Sequence, residues 1–257
     1  MAEWDSKQYL KFEAERTQPA VDLANRIELT APERILDLGC GPGNSTGVLA
    51  RRFPGAHILG VDNSENMITT AQRDYPELEF RLFDATSPLS ELGGSFDVVY
   101  SNACIQWVPD HPALLRRMMD ILAPGGVMAV QIPNNFDAPV HRIIREVVAG
   151  PEWKPQFPSP RIFHSLPPDD YFDLLAELSD HFHLWQTTYF QRMPSHRALL
   201  EWYRGTGLRP YLAALDDVKR PLFEAEILRR IAERYPVRRN GEIIFHFPRL
   251  FFTAVRK

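Results

Sequence analysis

Residues 35–45 read ILDLGCGPGNS, and no other stretch limits the fold as tightly. A short apolar run, Arg34–Leu38, carries one acid, Asp37, and ends in a turn holding Gly39, Gly41 and Gly43. The segment after it, NSTGVLARRF (Asn44–Phe53), reads as a helix with Asn44 and Ser45 as its caps. Glycines at 39 and 41 let backbone approach a ligand closely, and the helix N-terminus beyond them favours negative charge. A strand that passes into a helix through such a turn is the first half of a βαβ unit.

The pattern then repeats. HILGVD (57–62), EFRLFDA (79–85), FDVVYSN (96–102) and VMAVQI (127–132) read as strands. Between them SENMITTAQRDY (64–75, capped by Ser64) and HPALLRRMMDIL (111–122) read as helices, and APGG breaks the second. Alternation at this spacing implies a parallel sheet with helices on both faces, its ligand crevice at the carboxyl ends of the strands. After IPNNF (132–136) the composition changes. Pro151–Pro168 holds six prolines, so it is expected to be neither helix nor central strand, and to act as a lid or a linker. Helices are expected over 171–178, 195–203 (capped by Ser195) and 218–235, the last burying Leu222, Ile227, Leu228 and Ile231. A strand is expected over 183–193, and one or two strands at the C-terminus.

Composition excludes several classes. The chain has 257 residues and a net charge of −4, which argues against a nucleic-acid partner. No run of about 18 apolar residues occurs, so no membrane span is expected. The charged N-terminus has no leader-like apolar core, and a cytoplasmic location is the expectation. Cys40 and Cys104 have no metal-ligand spacing. They are expected to be buried free thiols, and no metal is expected.

The glycine turn is not a dinucleotide fingerprint, because position 44 is Asn where the third glycine of GxGxxG would stand. Asp37, just before the turn, would repel a pyrophosphate and welcome an ammonium or sulfonium. Asp62 ends the second strand 21 residues after Gly41, a spacing at which a carboxylate reaches both ribose hydroxyls; Asn63 follows it. Asp84 and Ala85 end the third strand within reach of a base edge, and Asn102 ends the fourth. An acid at one strand end is often only a turn former; acids at successive strand ends point to one ligand.

These residues resemble the class I S-adenosylmethionine-dependent methyltransferases, with ILDLGCGPG as motif I and a match from Ile35 to about Ile132. The resemblance implies a Rossmann-like, doubly wound seven-stranded α/β sheet, mostly parallel, with an antiparallel last strand formed by RLFFTAVRK. It implies that Gly39 and Gly41 line the methionine end of the donor, Asp62 binds the ribose, and Asp84 and Ala85 meet the adenine. Met67 packs either on the adenine or in its helix core. Asn102 and Trp107 sit beside the methyl group, or Trp107 is a core residue. One domain is expected: a core over about 30–135 and 243–257, and cap elements over 1–25, 150–170 and 195–240 covering the carboxyl ends of the strands.

EWYRGTGLRPYLAAL (201–215) sets two guanidiniums and two phenols around two glycines and a proline. Arg forks bind carboxylates bidentately. Arg204 is expected at a helix end, Arg209 in a loop, and Tyr203 and Tyr211 as hydroxyl donors, all folding over the donor's methyl end. Arg161 and His164 from the proline-rich segment, and Tyr9 and Arg16 from an N-terminal helix, are further candidates. The acceptor they suit is a small polycarboxylate. Its carboxylate is ionised at neutral pH, so no catalytic base is expected. The stretches EWDSKQYLKFEAERTQPAVDLANRI, WYRGTGLRPYL and IFHFPRLFFTAVRK resemble those of family members that esterify one carboxylate of trans-aconitate, a small tricarboxylate, and release S-adenosylhomocysteine. A carboxyl methyltransferase acting on another small or carrier-bound acid, such as a malonyl-carrier, is the alternative enzyme. A silent donor-binding module and a nicotinamide oxidoreductase are the other readings.

Overall fold

The computed structural model describes residues 13–158 and 163–257, with residues 13–16 described in their backbone alone. In chain order the elements are α1 (Glu13–Ala24), β1 (Arg34–Leu38), α2 (Asn44–Arg52), β2 (His57–Asp62), α3 (Glu65–Asp74), β3 (Glu79–Leu82), β4 (Phe96–Asn102), α4 (His111–Asp120), β5 (Leu122–Pro133), α5 (Pro139–Ala149), α6 (Pro168–Leu178), β6 (Phe182–Met193), α7 (His196–Arg204), α8 (Arg209–Ala214), α9 (Lys219–Arg234) and β7 (Ile243–Val255). They form a seven-stranded sheet of order β3-β2-β1-β4-β5-β7-β6. Neighbours from β3 to β5 are parallel, and β7 runs antiparallel to β5. This is the doubly wound α/β class that the alternation implies.

The chain packs as two compact units. The core unit comprises residues 13–133, 163–187 and 249–257. Its interior is built where the strands are apolar in succession: Leu36, Val99, Met128 and Phe252 come from four adjacent strands and meet Leu114, Leu115 and Met118 of α4. Each such side chain contributes about 1.5–3 kcal/mol by leaving water. The buried Tyr100 hydroxyl donates to the Ala20 carbonyl at 2.8 Å, which ties α1 to the sheet.

The second unit comprises, among described residues, 134–158 and 188–248. Its core gathers Val140, Ile144 and Val147 of α5, Leu199, Trp202 and Tyr203 of α7, and Phe223, Ile227 and Ile231 of α9. The buried stripe of α9 thus begins one residue later than expected: Leu222 is exposed and Phe223 takes its place. Positions 223, 227 and 231 keep the i, i+4, i+8 spacing of one helix face.

Three local expectations change. No side chain caps α2: Gly43, at φ +94°, occupies the cap position, and the Ser45 hydroxyl turns to Asp37 instead. Arg209 stands not in a loop but at the start of α8, with Pro210 in its first turn, where a missing N–H costs nothing. Among its described residues the proline-rich segment contains one 3-10 turn, Lys154–Gln156, and Pro168 opens α6. Ser64 and Ser195 do cap α3 and α7, accepting from Met67 N and Ala198 N.

Candidate functional site

The carboxyl end of β1 carries the densest chemistry in the core unit. Asp37 is fully buried. Its Oδ2 accepts from Ser45 Oγ and Thr46 Oγ1, both at 2.7 Å. Its Oδ1 is buried without a hydrogen-bond partner. Burial pushes the carboxyl up to about 6, the two hydroxyls pull it down, and Asp62 adds to the rise. An ionised carboxylate with one bare oxygen in a dry place is a seat for a cation.

The glycine turn is shaped around that seat. Gly39 lies at φ +81°, and a Cβ there would stand 2.1 Å from Cys104 Sγ, so only glycine fits. Gly41, at φ +54°, faces open space, with nothing within 4 Å of its virtual Cβ. Its N–H donates to Asp62 Oδ2 at 3.0 Å, while Ser64 N donates to Asp62 Oδ1 at 2.9 Å. Asp62 is thereby fixed at the end of β2 with acceptor capacity left for hydroxyl donors. Burial raises its pKa against the pull of these N–H groups. Asn63 beside it is exposed, and Met67 is buried in the first turn of α3. β3 stops at Leu82, short of the expected residue 85; two residues past it, Asp84 Oδ1 accepts from Thr86 N and Oγ1, both at 2.8 Å, and Ala85 is buried.

β4 ends in strain. Ala103, next to Asn102, has φ +55°, a conformation that costs a residue with a Cβ about 1–3 kcal/mol. The surroundings hold it: Ala103 N donates to Gln131 O at 2.8 Å, and Gln106 Nε2 donates to Ala103 O at 2.6 Å. Asn102 Oδ1 and Gln106 Oε1 are buried without a partner. Trp107 is half-buried, its ring 4.6 Å from that of Phe163. His164 N donates to Gln106 O at 3.0 Å, which sets His164 against the same loop. Both thiols, Cys40 and Cys104, are free. Burial, with Asp37 and Asp62 nearby, raises both of their pKa values, so they stay protonated.

The cations expected to grip an acceptor fare differently. Arg204 is engaged by two glutamates. Its Nε and Nη2 donate to Glu224 Oε1 and Oε2 at 2.5 and 2.9 Å, and its Nη1 donates to Glu201 Oε1 at 2.9 Å. These glutamates fill its fork, so it fastens α7 to α9 and offers no bidentate face to an acid. Tyr203 and Tyr211 are also held within the second unit. The Tyr203 ring packs edge-on against His141 and Phe245, and its hydroxyl accepts from Asn135 Nδ2 at 3.5 Å. The Tyr211 ring lies against Phe157 and Phe223. Both are core side chains of the second unit. Arg209 is half-buried at the start of α8. Tyr9 and Arg161 lie outside the described residues, and the Arg16 side chain outside the described side chains.

The sequence reading passed over three buried polar groups near the strand ends: Gln106, Gln131 and Arg249. A signal was there. Gln131 interrupts VMAVQI, and Arg249 interrupts FPRLFF, in runs otherwise apolar. Among the described residues no helix is long and apolar enough to cross a membrane, and no group of His, Cys, Asp and Glu could hold a metal ion.

Comparison with known proteins agrees with this layout. A family model described as "Methyltransferase domain" matches residues 35–126. The chain is 43% identical to trans-aconitate 2-methyltransferase of Methylobacterium radiotolerans, over 99% of this chain and 98% of that protein. It is 44% identical to trans-aconitate 2-methyltransferase of Azoarcus sp., over the full length of both. Among solved structures, the YcgJ protein of Bacillus subtilis superposes with a TM-score of 0.59 at 15% identity, covering 93% of this chain and 99% of that one. A phosphoethanolamine N-methyltransferase of Haemonchus contortus, solved with S-adenosylhomocysteine, gives 0.55 at 18% identity, covering 93% of this chain and 53% of that one.

Proposed function

We infer the activity from one premise: the chain belongs to the family of the bacterial trans-aconitate 2-methyltransferases, within the class I S-adenosylmethionine-dependent methyltransferases. The protein transfers a methyl group from S-adenosylmethionine to a carboxylate of trans-aconitate, leaving the monomethyl ester and S-adenosylhomocysteine. The observation that carries this reading is the reach of the identity. It covers 99–100% of the chain and so takes in the second unit, whereas the general methyltransferase model ends at residue 126.

The residues present fit the donor. Bound S-adenosylmethionine supplies an electrophilic methyl carbon on a sulfonium. Asp37, with its bare Oδ1, holds the donor's positive end. Gly41 leaves room for its backbone, Asp62 accepts from the ribose hydroxyls, and Asp84 and Ala85 border the adenine with Asn63 and Met67. Asn102 and Trp107 flank the methyl end.

The acceptor oxygen needs no base, because a carboxylate with a pKa near ~4 is ionised at neutral pH. The nearby groups agree with that role. The Cys104 thiol is held protonated, and both nitrogens of His111 are engaged, by the Tyr171 hydroxyl at 2.5 Å and the Ile105 carbonyl at 2.8 Å. The chain's task is alignment in a dry place, which can supply about 7–11 kcal/mol of the barrier. Arg209, His164, Arg16, Arg161 and Tyr9 are the acceptor-binding residues in this reading. The partner is thus a small tricarboxylate and no nucleic acid, in keeping with the net charge of −4. Two free thiols suit the reducing cytoplasm.

The test is transfer of labelled methyl over a panel of di- and tricarboxylic acids and carrier-bound malonate. Ester should form on trans-aconitate with the highest kcat/KM. Label appearing only on the carrier would overturn the assignment.

A further inference from the structure

We propose that Gln131 is an acceptor-binding residue that sets specificity, its side-chain amide donating to a carboxylate of the methyl acceptor. The proposal rests on the function inferred above and extends it to a position that no motif marks.

Register places Gln131. In the parallel pairing of β4 and β5 it stands directly across from Asn102, about 4.8 Å away. Tyr100, two residues before Asn102, is register partner to Asp37. Side chains of register partners, and of residues two apart on a strand, share a face. Asp37, Asn102 and Gln131 therefore form one row on one face of the sheet, on β1, β4 and β5. In the antiparallel pairing with β7, Gln131 faces Phe251 and Pro133 faces Arg249. The buried Arg249 thus brings a positive charge to the same face, one strand further out.

The row follows the order of the ligands. Donor-binding acids lie at or just past the ends of β3, β2 and β1, as Asp84, Asp62 and Asp37, and Asn102 ends β4. The next strands in the sheet are β5 and β7. A polar group there lies past the methyl end of the donor, where the acceptor has to be.

Gln131 also carries the mark of a group built for a ligand. It is fully buried, and neither its Nε2 nor its Oε1 has a hydrogen-bond partner. A buried amide left bare is costly and rare. On the same face, Asp37 Oδ1 and Asn102 Oδ1 share this condition. Nε2 brings two N–H donors, and an ionised carboxylate only accepts. Arg249 makes the face favourable to an anion at long range.

Gln131→Met keeps the side chain's shape and removes the donors. With trans-aconitate as acceptor, KM should rise on the order of tenfold or more, the loss expected for a hydrogen bond to a charged group. The Kd for S-adenosylmethionine should stay within twofold, and Tm should hold or rise as a bare buried amide disappears. Should Gln131→Met fail to fold, Gln131→Asn retracts the amide by one methylene and should show the same split. An unchanged KM in a folded variant overturns the proposal, and so does a parallel loss of donor affinity. In either case wild-type turnover stands, and with it the inferred function. Absence of wild-type turnover or binding with trans-aconitate would overturn that function and this role together.

Discussion

Acidification should weaken donor binding through a single buried carboxyl. Asp37 is fully buried, and its pKa is pushed up to about 6. In the ligand-free protein at pH 5 most Asp37 carboxyls hold a proton, and a neutral acid offers little to a cation. A bound ammonium or sulfonium favours the ionised form and returns the pKa toward its ordinary value of ~3.9. Binding at pH 5 must then expel the proton, whereas at pH 7 it is already gone. The Kd for S-adenosylmethionine should therefore rise about tenfold from pH 7 to pH 5, or about 1.4 kcal/mol. Asp62 shifts in the same direction and steepens the trend. Cys40 and Cys104 stay neutral throughout and cannot oppose it.

Stability should move the other way. A raised folded-state pKa means that the native protein, between about pH 4 and 6, holds a proton that the unfolded chain has released. The ligand-free protein therefore loses this contribution as pH rises through that window. Calorimetric titration with S-adenosylmethionine, without acceptor, at pH 5, 6, 7 and 8 reads the affinity. Asp37→Asn should bind weakly and with little pH dependence. A wild-type Kd constant within twofold from pH 5 to pH 7 would refute the reasoning.

Gly39→Ala should lower Tm, because its Cβ meets Cys104 Sγ and φ is positive, a cost of about 1–3 kcal/mol. Gly41→Ala meets no atom and should weaken donor affinity more than it weakens the fold, as paired calorimetry and melting will show. Arg204→Gln should leave the acceptor KM within twofold and cost about 1 kcal/mol of stability, shrinking with added salt; a tenfold KM rise would restore Arg204 to the acceptor. Tyr171→Phe should cost about 1–3 kcal/mol in denaturant melts by leaving His111 Nδ1 without its hydroxyl. Burial lowers the His111 pKa, so its share of stability is present at neutral pH and is lost as pH falls below ~6.5.

Much of the core unit was legible because its information is local. β1, β2 and β4 coincide with apolar runs that end at acids or glycines, and Asp37, Asp62 and Asp84 are found at or just past the strand ends, where their spacing puts them. Helix α4 ends at Asp120, before the expected APGG break, and APGG itself lies within β5, which starts at Leu122, since pairing with Phe96 overrides the turn signal. Helix α5 was missed: PVHRIIREVVA follows a proline and a loop-like NNFDA, and its apolar face acquires meaning only against α9. The partners of Arg204 were hidden for a related reason. A guanidinium at a helix end suggests a ligand until Glu224, twenty residues on, is known to lie beside it. Gln131 went unread because a missing hydrogen bond is visible only when every neighbour is in place.

β7 has a consequence for folding. Strand β5 has β4 on one side and Arg249–Val255 of β7 on the other, a partner more than a hundred residues away in sequence. A chain in which β7 has not yet docked keeps the flank of β5 uncovered, and such a flank recruits other chains. Docking of β7 is thus the event that finishes the sheet, and a lesion in Arg249–Val255 should surface first as aggregation.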